Sequence, residues 1–147
     1  MKNALPALVI GLITTLGLTT AYAEGDVLNA NTATAEELSA IPNMDEFLVE
    51  AVIGNRPFAT IGALNEMLGA DLSNEELEAL YVHLFVPVNL NTADESDILL
   101  IPGVGDRMAH EFEEYRPYSD IEQFRREMAK YVDAEEVARL EQYVTLD

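Results

Sequence analysis

The 147-residue chain contains no cysteine. Disulfides are therefore excluded, and the fold must stand on its packed core alone. A thiolate nucleophile and thiolate metal ligands are excluded with them. Histidine is almost as scarce. His83 and His110 stand far apart, and neither has a second ligand at the helical spacing a zinc site needs. No serine has an evident base partner, so no catalytic constellation is visible and no enzyme, cofactor or metal site is expected. Positive charge is the next shortage: 8 basic residues face 27 acids, a formal net charge of −19. Such a balance favours cationic partners and repels polyanions and anionic membrane surfaces at long range. There is also no alternating apolar–polar run long enough for a convincing strand.

What is present begins with Lys2, an apolar run from Ala4 to about Thr20, and Ala21-Tyr22-Ala23. A charged start, a hydrophobic segment and an A-x-A site form the pattern of a secretory signal peptide. Cleavage is expected after Ala23, making residues 1–23 the signal and the product periplasmic or secreted. An uncleaved anchor is the alternative, because the run approaches membrane-spanning length. No cysteine lies near the site to carry a lipid. No later run is apolar and long enough to span a membrane once the signal is removed.

The remainder reads as one unit written twice. "LNANTATAEELSAIP" from Leu28 and "VNLNTADESDILLIP" from Val88 match at an offset of 60, and the register holds without a gap to the end. Asn29/Asn89, Asn31/Asn91, Ile41/Ile101, Pro42/Pro102, Arg56/Arg116 and Pro57/Pro117 are among the identities. The expected domains are 24–86 and 87–147, joined by the short apolar link Phe85-Val86-Pro87-Val88, and they are expected to pack together.

Within each unit the pattern is helical. Thr34-x-x-Glu37 is a capping box, and Asp94 begins its counterpart. Pro42 and Pro102 end this first short helix. A second helix spans about Asp45 to Asn55, or Asp106 to Tyr115. Thr60 and Asp120 can cap a third. Ser73-x-x-Glu76 and Asp133-x-x-Glu136 read as capping boxes for a fourth, ending near Leu84 or Val144. The expected fold class is all-α, two compact units of about 60 residues, near the lower size limit for independent folding.

"VNLNTADESDILLIPGVGDRMAHEFEEYR" resembles the helix-hairpin-helix domain of the ComEA family, whose members bind DNA during natural transformation. Asn89, Asn91, Thr92, Ala93, Leu99, Ile101, Pro102, Gly103, Val104, Gly105, Ala109 and Arg116 carry the likeness. The resemblance implies that each unit is itself a pair of helix-hairpin-helix elements. A more distant likeness, to the extrinsic subunit U of photosystem II, implies a related helical fold used for protein docking.

In a G-h-G turn between helices the missing Cβ atoms let a ligand approach the backbone. Consecutive N–H groups, with the next helix N-terminus, can then cradle a phosphate oxygen. Gly103-Val104-Gly105 fits, with Val104 as an apolar plug and Arg107 as the basic residue that DNA-binding relatives usually carry. Asp106 stands beside it. The equivalent Asn43-Met44-Asp45 keeps the plug and loses both glycines. Asn tolerates positive φ, while Asp45 puts a carboxylate where phosphate would sit. The later turns of the two units keep only Gly69 or no glycine.

Charge weighs in the same direction. Residues 24–86 carry 12 acids and only Arg56; residues 87–147 carry 15 acids against Arg107, Arg116, Arg125, Arg126, Lys130 and Arg139. DNA affinity needs several basic contacts at physiological salt. Arg56 and Arg116 are candidate contacts for an anionic partner, or else fasten the end of the second helix through its carbonyls. The glutamate groups 75, 76, 78 and 111, 113, 114 lack the ligand pattern of a calcium loop and read as solvated helix faces. The methionines and phenylalanines read as core. The expected function is a non-enzymatic, exported, acidic binding module. Its partner would be a protein with a basic surface, bound for interaction or assembly in the cell envelope. The alternative is a double-stranded DNA receptor in DNA uptake, acting through the second unit.

Overall fold

The computed structural model describes residues 26–147; the expected signal segment, 1–23, lies outside the described residues. Among the described residues the chain is mostly helical, with eight short helices and four two-residue strands. Strand β1 (Leu28–Asn29) leads into α1 (Ala35–Ser39), α2 (Glu46–Gly54), α3 (Ile61–Leu68) and α4 (Asn74–Tyr81), then β2 (Leu84–Phe85). The order recurs as β3 (Val88–Asn89), α5 (Glu95–Ile98), α6 (Asp106–Glu114), α7 (Ile121–Met128), α8 (Ala134–Glu141) and β4 (Val144–Thr145). No helix among the described residues is long and apolar enough to cross a membrane.

Side-chain caps set most helix starts. Thr34 and Glu37 form a reciprocal capping box, as do Ser73 and Glu76. Asp45, Thr60, Asp120 and Asp133 each accept the N–H three residues on. Two expectations are corrected. Asp94 holds the cap position of α5 without a side-chain bond. Asp133 caps α8, but Glu136 does not reach back to complete a box, because its carboxylate is bound by Arg139 at 2.7 and 2.6 Å.

The fourth helices also end earlier than their sequence pattern predicts, at Tyr81 and Glu141. The residues beyond pair in parallel with the start of the same half: Leu28 with Leu84 and Asn29 with Phe85, then Val88 with Val144 and Asn89 with Thr145. Two-residue strands have no period to detect, and their partners lie a whole half away in sequence. The bridges draw each half closed.

The polar residues identical in the two halves have a structural use. Asn31 grips the backbone of Phe58 twice, donating Nδ2 to its oxygen at 2.9 Å and accepting its N–H at 2.7 Å. Asn91 does the same to Tyr118 at 3.0 and 2.7 Å. Arg56 donates Nε to Ala30 O and Nη2 to Ala33 O, both at 2.6 Å. Arg116 reaches Leu90 O and Ala93 O at 2.6 and 2.7 Å. The arginines therefore fasten the opening turn of each half, and not the end of the second helix.

The halves share a seam. The link is buried at Phe85, Val86 and Val88. The Phe85 ring meets Tyr81 and Tyr143 edge-on, with centroids 5.7 and 4.9 Å apart. Tyr143 Oη donates to Tyr81 O at 3.0 Å. Two further hydrogen bonds cross it: Val27 N–H donates to Gln142 Oε1 at 2.9 Å, and Gly62 N–H to the Asp97 carboxylate at 3.0 Å. A Cβ on Gly62 would lie 2.6 Å from that oxygen, so glycine is what lets α3 approach α5.

Candidate functional site

The two turns singled out by the sequence have the same backbone course but opposite chemistry. Gly103 has φ +81° and Asn43 has φ +65°, the left-handed region in both cases. Val104 and Met44 are buried as plugs. Gly105, by contrast, has an extended backbone open to any residue (φ −106°, ψ −179°), and a Cβ there would meet nothing within 4 Å. Only the first position of the turn, Gly103 or Asn43, takes the left-handed conformation; the second does not call for glycine.

What Gly105 changes is the helix end. The first N–H groups of any helix lack intrahelical partners. In α2, Asp45 accepts the Leu48 N–H at 2.9 Å, so a carboxylate of the chain itself occupies that end. In α6, Gly105 has no side chain to do so. Arg107 is exposed in the first turn of this helix, beside Asp106.

Arg139, absent from the sequence-derived site, covers the second turn. Its Nη2 lies 3.2 Å from the point a Cβ would occupy on Gly103. The same guanidinium is bound by Glu136 and stands 5.8 Å from the centre of the Tyr143 ring. The internal comparison held a signal for it: at the offset of 60, Gly103 and Arg139 become Asn43 and Ala79.

The remaining basic side chains are engaged within the chain. Arg125 forms a fork with Glu141 at 2.8 and 2.5 Å and also pairs with Glu122. Glu127 receives Lys130 and, at 3.4 Å, Arg126. Arg125 holds the Glu141 carboxyl below its ordinary range, and Lys130 does the same to Glu127. Arg56 and Arg116 are on carbonyls. Among the described residues, Arg107 alone of the seven basic side chains has neither an acid nor a carbonyl partner.

At the position of Arg107, the first half presents Phe47, 63% exposed at the start of α2. The expectation that the phenylalanines are core holds for Phe58, Phe85, Phe112 and Phe124 and is corrected at Phe47. Helical periodicity could not separate Phe47 from its buried neighbours, because Leu48 and Val49 follow directly. Asp45, Glu46 and Glu50 surround it in sequence, and all are exposed.

A cleft of about 600 Å³ lies where the second turn faces α3 and α4, with Asn65, Glu78, Tyr81, Leu99, Pro102 and Gly103 in its walls. His83 and His110 are both exposed, and His110 stands 3.6 Å from Glu114. No group of three His, Cys, Asp or Glu side chains among the described residues is placed to hold a metal ion. Comparison with protein-family models, curated proteins and solved structures returned no match to this chain.

Proposed function

We propose that the chain is a non-enzymatic, exported, acidic binding module, built from two ComEA-like helix-hairpin-helix units, that docks a basic protein surface. The carrying observation is the engagement of its cations: six of the seven basic side chains in 26–147 are bound to acids or carbonyls of the chain itself. A duplex DNA ligand would have to break those pairs or rely on Arg107 alone, against a strongly negative field. Opposite charge on a protein partner would instead speed its docking. Phe47, an exposed aromatic with acids close by in sequence, is the kind of anchor that dominates protein interfaces.

The open end of α6 and the adjacent Arg107 favour the second reading, a DNA receptor acting through the second half. One titration separates them. Duplex DNA at about 0.15 M salt should give no mobility shift with the wild-type protein, whereas a shift that weakens steeply with added salt would establish the receptor reading. In parallel, an envelope extract should yield a salt-sensitive partner that Phe47→Ala fails to retain. A clean absence of any partner, together with DNA binding, would overturn the proposal.

A further inference from the structure

Arg139 has no counterpart in the first half, but its surroundings do. At the offset of 60, Pro102, Val104, Val132, Glu136, Arg139 and Tyr143 become Pro42, Met44, Leu72, Glu76, Ala79 and His83. In the second half the arginine lies over the turn. Glu136 accepts from its guanidinium at 2.7 and 2.6 Å, and the Tyr143 ring centre is 5.8 Å away. In the first half alanine takes that position, and a cavity of about 90 Å³ lies over the turn, lined by all six of the equivalent residues. This is on the order of three water molecules' share of liquid volume, room for the flat head of a guanidinium.

Glu76 answers the loss of the arginine. Glu136 spends both oxygens on Arg139 and leaves its capping box incomplete. Glu76 turns Oε2 to the Ser73 N–H at 2.8 Å and completes its own. Among the described residues Glu76 forms no ion pair, and its exposed side chain leaves Oε1 available to a donor. The chain has no arginine of its own to bring here. Arg56, the one lysine or arginine in 26–86, is spent on Ala30 O and Ala33 O.

We infer that this cavity is a slot for an arginine side chain of the protein partner, held as the second half holds Arg139. Glu76 receives the guanidinium, Met44 and Leu72 supply apolar wall, and the Asn43 amide oxygen can accept a further N–H. Arginine suits the slot better than lysine, because Glu136 shows the two-pronged contact that this position makes. A Cβ at the turn would stand 3.2 Å from the Arg139 Nη2. With Asn43 in place the head therefore sits slightly further out, which an arginine arriving from another chain is free to do. The inference rests on the proposed docking of a basic protein. It names a contact on the same turn that leads into Phe47.

The test is an NMR titration at about pH 8, where an ordinary imidazole is uncharged. The probe is N-acetyl-arginine methylamide, with N-acetyl-citrulline methylamide as its neutral isostere. The arginine probe should saturably shift the Ala79 methyl, the Asn43 side-chain amide and the Ser73 amide, the last because Glu76 leaves it. The citrulline probe should not. Ala79→Arg supplies the arginine from within the chain, as the second half does. It should abolish the probe's shifts, release the Ser73 amide by itself and weaken retention of the envelope partner at least about tenfold. Glu76→Gln keeps an oxygen for Ser73 and should weaken the probe at least about tenfold. Arginine shifts scattered over the acidic helix faces, or surviving Ala79→Arg, would overturn the slot. So would a partner held equally well by wild type and Ala79→Arg, an outcome that leaves the docking proposal intact. Saturable probe binding lost in Ala79→Arg, alongside a duplex DNA shift and no protein partner, would instead sink the docking proposal and leave the guanidinium slot standing.

Discussion

The Arg139 guanidinium approaches to within 3.2 Å of where a Cβ would stand on Gly103, and the first half replaces this pair with Asn43 and Ala79. A bulkier residue at the left-handed position is accompanied by a smaller one above it. Gly103→Ala should therefore cost about 1–2 kcal/mol in urea unfolding, since alanine at φ +81° is strained. Gly103→Asn should cost less, as Asn43 already occupies the same backbone region. Combining either change with Arg139→Ala should recover part of the loss, with a coupling of at least about 0.5 kcal/mol in a double-mutant cycle.

Arg116 donates to two carbonyls of the turn that opens the second half. Arg116→Ala strands both acceptors, and a loss of about 2–4 kcal/mol is expected. Arg116→Lys should recover little of this, because a single ammonium cannot span Leu90 O and Ala93 O as the fork does. Urea midpoints of the two variants decide it; an Arg116→Ala protein of wild-type stability would rule out the clamp.

Asn91 uses both ends of its amide on the Tyr118 backbone. Replacing it with aspartate removes the donor and sets a carboxylate against a carbonyl oxygen. Asn91→Asp should lower stability by about 1–3 kcal/mol. Asn31→Asp should act alike on the first half, and thermal unfolding of both variants checks the equivalence.

Asp97 is buried at the seam, and burial raises its carboxyl above the ordinary value of 3.8 despite the Gly62 N–H. A raised carboxyl contributes stability below its unfolded value and loses it as pH climbs through the folded one. The ionised group is thus a burden at neutral pH. Asp97→Asn keeps the acceptor for Gly62, so it should stabilise the protein at pH 7, with the advantage fading toward pH 3. Glu37 and Glu76 act in the opposite sense. Hydrogen bonds from Thr34 and Ser73 depress them below 4.5, so their contribution is present above that value and lost as pH falls through the folded one. Urea titrations of both proteins across that range test the signs.

Phe47 packs little of its surface on the protein, so Phe47→Ala should change stability by no more than about 0.5 kcal/mol. Its loss should nonetheless weaken partner binding by tenfold or more, about 1.4 kcal/mol. A variant that unfolds, or one that holds the partner as well as wild type does, would remove Phe47 from the interface.

Residue order alone determined the helical class, the recurrence at an offset of 60, most helix starts and the left-handed turn residue. Each of these depends on groups three or four positions apart, or on one residue's own backbone preference. Thr34 finds Glu37 and Asp45 finds Leu48 within a single turn, whatever the rest of the chain does. Tertiary structure decided what those local rules do not reach. Leu28 meets Leu84 only after four helices have folded between them, which cut the fourth helix short. Arg56 finds Ala30 and Ala33, Arg125 finds Glu141, and Arg139 finds the face of Gly103, all across distances that sequence spacing does not encode. All but Arg107 of the basic residues that composition counts as possible phosphate contacts are thereby paired within the chain. Phe47 and Arg107 are left facing outward from equivalent positions, because the core closes behind Met44 and Val104 and has no place for the side chain three residues on.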